Sequence, residues 1–201
     1  MIDNFELVKA QFYFNESNNI FFHCQIVQRN KDHCVSVVKD KVLHTYFIRS
    51  REHLDRLKEE IILLCEHYGA RAYINIAGKD FYKVNRELLL KLAVCNVQED
   101  NNVNPRKLLN SAVGSIVSRK PKWVIDIDNV KDKEPVYQWL RNLGWEEYQI
   151  IEIPTVQCCH FITSKFNLEE FKKIFPHIDV HKNSMGTLLY FPQSLIIPSK
   201  K

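Results

Sequence analysis

WVIDID (residues 123–128) is the stretch on which the reading of this chain turns. Trp123, Val124, Ile125 and Ile127 are strand formers, yet two aspartates, Asp126 and Asp128, interrupt them. Downstream the pattern is regular. Glu134–Leu143 has helical periodicity, with Pro135 expected in the first turn, Val136, Leu140 and Leu143 inward, and Gly144 at the end. Glu147–Val156 reads as a strand, and CCHFITSK (158–165) as its hairpin partner. Asn167 is an N-cap with Glu170 three residues later, and Leu168, Phe171, Ile174 and Phe175 form the buried stripe of a helix stopped by Pro176. Ile178–His181 starts a last strand, which Thr187–Phe191 is expected to extend or pair with. The second half therefore reads β-α-β-β-α-β, the split βαβ or ferredoxin-like order.

Upstream, Arg51–Tyr68 is the clearest helix, with Leu54, Leu57, Ile61, Leu64 and Tyr68 at spacings of three and four, Ser50 before it and Gly69 after it. AYINIA (72–77) is a short strand. A second helix is expected over Phe81 to about Val97 and a short third over Arg106–Val117, separated by the polar NVQEDNNVNP (96–105). Met1–Ile48 reads as strands and turns: Phe12–Phe14 and Ile20–Val27 around NESNN (15–19), then an extended pair over Val35–Ile48 around KDK (39–41). The fold expected is α/β (α+β), with an N-terminal α/β lobe over 1–120 and an RRM-like, ferredoxin-like half over 121–201.

Composition narrows the class. Hydrophobic residues make up 45% and charged residues 26% of 201 positions, the balance of an ordinary globular chain and not of a disordered one. No apolar run approaches the ~20 residues a membrane helix needs. The opening MIDNFELVK does not read as a secretory signal, and the six cysteines are expected to be reduced thiols in a cytoplasmic setting, the host cytoplasm if the chain is phage-encoded. His23-Cys24 and His33-Cys34 repeat a step that could hold zinc, or could belong to two strands each carrying a buried Cys. The net charge of +4 permits a nucleotide or nucleic-acid partner without requiring one. Arg106, Lys107, Arg119, Lys120 and Lys122 form a basic stretch that faces either phosphates or solvent.

Asp126 and Asp128 are two apart on one strand, so both leave the same face. Paired carboxylates repel unless a cation lies between them, and Mg²⁺ or Mn²⁺ is the hard, oxygen-seeking choice. A strand end turned to water is the alternative. His160 is either a phosphate contact or a half-exposed strand histidine. Asp179 is a third acid on the last strand. In the ferredoxin-like order the first and third strands are central and the fourth flanks the first, so Asp126, Asp128, His160 and Asp179 are expected to meet on one face.

The succession VIDID, Cys158-Cys159-His160 and Ile178-Asp179 resembles the three motifs of the archaeo-eukaryotic primase (primase-polymerase) superfamily, and the layout over about residues 70–192 is similar to its catalytic core. The stretch PTVQCCHFITSKFNLEEFKKIFPHIDVHKNS (154–184) also resembles small bacteriophage proteins. The resemblance implies a metal-dependent nucleotidyl or phosphoryl transferase of nucleic-acid metabolism. Asp126, Asp128 and Asp179 would hold Mg²⁺ or Mn²⁺ and, with His160, form the catalytic set. His160 would contact the phosphates of a nucleoside triphosphate, with Lys165, Lys182 and Cys158 near it. Cys158 stands where Ser is usual.

Other classes leave their own marks. A silent relative would bind single-stranded nucleic acid, through Trp123 and Phe161 on the central strands, or a host or phage protein. The paired aromatics and glycine of an RNP motif are absent. A two-histidine phosphoesterase wants His-x-Thr/Ser steps on adjacent strands, and His160-Phe161-Ile162-Thr163 has the wrong gap. Cysteine nucleophile chemistry at Cys158 or Cys159 has no base assigned to it other than the neighbouring His160.

Overall fold

The computed structural model describes residues 1–14, 19–32, 39–98, 103–118, 120–182 and 186–195. In chain order its elements are β1 (Ile2–Asp3), α1 (Phe5–Lys9), β2 (Ile20–Gln28), β3 (Lys41–Ile48), α2 (Arg51–Tyr68), β4 (Arg71–Ile74), β5 (Lys79–Asp80), α3 (Phe81–Val97) and α4 (Pro105–Ser115). They continue with β6 (Trp123–Ile127), α5 (Val130–Asn142), β7 (Ile151–Pro154), β8 (Cys159–Thr163), α6 (Leu168–Ile174), β9 (Asp179–His181) and β10 (Thr187–Phe191). The chain is α/β, with two antiparallel sheets and helices on both.

The second sheet runs β7-β8-β6-β9, with every pair antiparallel. This is the split βαβ order expected from the sequence: first and third strands central, fourth beside the first. Its two faces differ. Ile125, Ile127, Cys159 and Phe161 pack on Val136 and Leu140 of α5 and on Phe171 of α6. Val124, Ile153 and Ile162 face the other way, into the core built by the first sheet and α2.

The first sheet runs β1-β10-β4-β2-β3, with β5 beside β2. Here the expectation for Thr187–Phe191 is corrected: β10 pairs with β1 and β4, and not with β9. All five of its residues are buried. A strand apolar on both faces needs cover on both, which an interior place supplies and an edge does not. The second half as drawn over 121–201 thus returns its last strand to the first.

Local chemistry explains the helices. Ser50 is extended and its hydroxyl accepts from the His53 N–H, while Gly69 (φ 53°) closes α2 in the left-handed conformation that glycine adopts without strain. α5 starts four residues before the expected Glu134 because Asn129 caps it, accepting from the Lys131 N–H, and Pro135 lies inside the helix. Glu147–Gln149 is a 3₁₀ turn, so the expected strand from Glu147 begins at Ile151. Phe5–Lys9 is helical where strands and turns were expected. Phe12–Phe14 is not a strand; Phe12, Tyr13 and Phe14 instead surround Phe22, Phe12 stacking on it at 4.0 Å. Residues 15–18 and 33–38, including most of the NESNN turn, His33-Cys34 and the start of the expected Val35–Ile48 pair, lie outside the described residues.

Candidate functional site

The four sequence-predicted residues of the acidic and histidine motifs meet at one cleft. In the β6–β8 ladder Asp126 is opposite His160, and in the β6–β9 ladder it is opposite Asp179. Residues directly opposite in an antiparallel pair share a face, so His160, Asp126 and Asp179 form one row across the sheet. Asp128 lies just past the end of β6 and is exposed. All four line a cavity of about 500 Å³. The opposite wall comes from the first sheet and the turn that follows β2: Arg71, Tyr73 and Leu188 from the sheet, Arg29 and Asp32 from the turn, with Gly186 at the edge.

His160 is held at both ring nitrogens. Nε2 is 3.2 Å from Asp126 Oδ1, and Nδ1 is 2.8 Å from Thr187 Oγ1 on β10. The Asp126 side chain is 31% exposed and that of His160 13%, so the pair lies at the wet edge of the core. Asp179 is 78% exposed, with Lys172 Nζ at 3.9 Å, a contact too long and too wet to neutralise it.

The guanidinium groups on the opposite wall are engaged. Arg71 forks onto the Asp32 carboxylate and lies over the Phe191 ring, 4.8 Å from its centroid. Arg29 Nε is 3.4 Å from Asp40, and its Nη1 donates to the Tyr73 hydroxyl at 3.3 Å. Burial opposes the charge on Arg29, but Tyr73 and the Asp40 and Asp32 carboxylates outweigh it and raise its pKa above the ordinary value. Each guanidinium thus has a carboxylate of its own. Asp128 and Asp179 add two exposed carboxylates to the wall facing them, beside Asp126 with its His160 contact.

Other expected contacts lie elsewhere. Lys165 is exposed beyond the far end of β8, and Lys182 sits over the Trp123 ring at 5.2 Å; neither lines the cleft. Cys158 packs against the helix-side core, its Sγ 3.8 Å from that of Cys159. The hairpin turn Thr155–Cys158 lines the cleft through Thr155, Val156 and Gln157. It closes through the Cys158 N–H to Thr155 Oγ1 at 3.2 Å and the Thr155 N–H to the Cys158 carbonyl at 3.1 Å. Trp123 and Phe161 offer no stacking platform: Phe161 is buried toward the helices, and Trp123, 8% exposed, packs on Phe166.

Sequence reasoning missed Arg29, Arg71, Tyr73 and Thr187. Arg29, Arg71 and Tyr73 carry no motif, and only the pairing of β2, β4 and β10 in the first sheet turns them toward the second. At the other proposed cluster, Cys24 is fully buried and its thiol is pushed far up by burial and by Cys65. His23 stands on the opposite face of β2 by strand alternation, so the pair does not converge on one ion. Behind that strand Lys79 is fully buried, with its pKa lowered to about 8 by burial, and Nζ donates to the Ile116 carbonyl at 2.6 Å.

Among the described residues, no three His, Cys, Asp or Glu side chains stand close enough together to enclose an ion, and no helix is long and apolar enough to cross a membrane. No family model, curated protein or solved structure matches the chain.

Proposed function

We propose that the cleft binds a nucleoside triphosphate with Mg²⁺ or Mn²⁺ and transfers a nucleotidyl or phosphoryl group, in the manner of the primase-like enzymes that the motifs resemble. One observation carries this reading: Asp126, Asp179 and His160 occupy a single row facing a cavity of about 500 Å³, with Asp128 beside it. That volume lies within the ordinary range of small-ligand sites.

The donor set suits the cation. Mg²⁺ is commonly held by one or two carboxylates, its other ligands being water and substrate phosphates, so an enclosing cage of three side chains is not needed. Asp126 and Asp128 would hold it, with Asp179 completing the acidic wall. The bound ion would neutralise the triphosphate and the departing pyrophosphate. His160 Nε2 lies at the same wall, 3.2 Å from Asp126 Oδ1, and would turn its proton to a phosphate oxygen when the ion draws the Asp126 carboxylate to itself. Tyr73 and Arg29 would close the cleft from the first sheet.

Calorimetry with a nucleoside triphosphate and Mn²⁺ tests the reading, wild type against Asp126→Asn/Asp128→Asn. Metal-dependent binding lost in the double variant supports it and justifies primer-synthesis and transfer assays. A wild type that binds no triphosphate across a set of bases, with either ion, removes it.

A further inference from the structure

We infer that Thr187 is a positioning residue for His160, reaching across from the other sheet to fix which ring nitrogen faces the cleft. This rests on the reading that His160 serves a nucleotide there. Thr187 is fully buried, and Oγ1 lies 2.8 Å from His160 Nδ1. The Nδ1 edge of the ring is therefore turned into the protein interior and the Nε2 edge toward Asp126.

Hydrogen-bond chemistry then sets the tautomer. A carboxylate has no proton to give, so the contact between Nε2 and Asp126 Oδ1 needs the proton on Nε2. Nδ1 of the neutral ring is then an acceptor, and the Thr187 hydroxyl donates to it. A hydroxyl is the group this place requires. It saturates a buried lone pair that would otherwise be costly, and it leaves Nε2–H as the one proton the ring shows to the cleft.

Thr187 opens β10 opposite Ile74 of β4, and Gly186 before it lies so close that a Cβ would overlap the Ile74 backbone. The start of β10 is thus pinned against β4. His160 belongs to the second sheet and its anchor to the first. The pairing of β6, β8 and β9 aligns the row by itself, but Thr187 reaches His160 only when the two sheets are docked, which gives the return of β10 to the first sheet a role in the site.

The test is a long-range ¹H–¹⁵N spectrum of protein labelled at histidine, with His160 assigned through His160→Gln. Wild type is expected to carry the His160 proton on Nε2 alone. Thr187→Val keeps the shape and removes the hydroxyl; it is expected to mix the tautomers and weaken Mn²⁺–nucleotide binding on the order of tenfold, while Thr187→Ser restores both. A His160 proton on Nδ1 in the wild type overturns the inference, whether or not the valine variant folds. So does a folded Thr187→Val with an unchanged His160 spectrum. A wild type with the expected tautomer but no nucleotide binding counts against the functional reading and leaves Thr187 as the anchor of His160.

Discussion

Asp126 faces Asp179 directly across the β6–β9 ladder, two carboxylates abreast on the face that also carries His160. Like charges directly opposite destabilise a sheet, by roughly 0.2–1 kcal/mol. A cation bound between them would reverse the sign of that effect.

Stability and binding are therefore expected to separate at this pair. Asp179→Asn removes the repulsion and leaves the strand intact, so melting without metal should rise by about 1–2 °C. Mn²⁺–nucleotide binding should weaken in the same variant. Asp126→Asn keeps an acceptor for His160 Nε2 and should melt within about 2 °C of wild type while losing binding. Thermal melts beside calorimetry check both; a variant that unfolds early and binds normally would give these acids a structural role only.

Gly186 presents a different constraint, because a Cβ there would collide with backbone, which cannot rotate away. Gly186→Ala should cost about 1–3 kcal/mol, the range of overpacking inside a protein. Urea denaturation reads it. A cost near zero would mean that the start of β10 can leave β4, and the alignment of Thr187 on His160 would go with it.

The pH dependence of stability has an identifiable source at His23. Its pKa is lowered to about 4, first by burial and then by Lys79, and Nε2 finds no hydrogen-bond partner among the described residues. The unfolded chain takes up the proton near pH 6.5 and the folded chain only near 4. Stability is thus fully present above about 6.5 and is lost as pH falls toward 4. The loss should amount to about 3 kcal/mol. His23→Phe removes the titration, so the stability difference between the two proteins should change by that amount between pH 7 and 4. A constant difference would mean that His23 is more accessible than its burial implies.

The elements with local signals were readable without coordinates. The α2 helix has its cap, stripe and terminal glycine in one window, and β6 to β9 follow one another with short connections. What could not be read is long-range. TLLYF (187–191) has the same composition whichever sheet takes it, and only its burial on both faces decides. The acidic row could be read because a motif and a strand order combine to place it. Arg71 and Thr187 could not, because Arg71 is defined by Asp32, 39 residues earlier in the chain, and Thr187 by His160, 27 residues earlier. Lys165 and Lys182 lie close to the motifs in sequence, but along a strand a few residues amount to more than 10 Å, enough to leave the site.

The cysteines give a direct check on which faces of these strands are closed. Cys24, Cys65 and Cys159 are buried, while Cys95 and Cys158 are partly open. Burial pushes the Cys65 thiol up to about 12, and burial with Cys158 does the same for Cys159. A thiol held protonated and shut from solvent reacts slowly, since the thiolate is the nucleophile. Iodoacetamide at pH 8 on the native protein should label Cys95 and Cys158 well ahead of Cys24, Cys65 and Cys159, with peptide mapping to separate the sites. Urea should bring these five to similar rates. Labelling of Cys24 as fast as Cys158 would open the face of β2 that packs under α2. It would also return His23-Cys24 to consideration as half of a metal site.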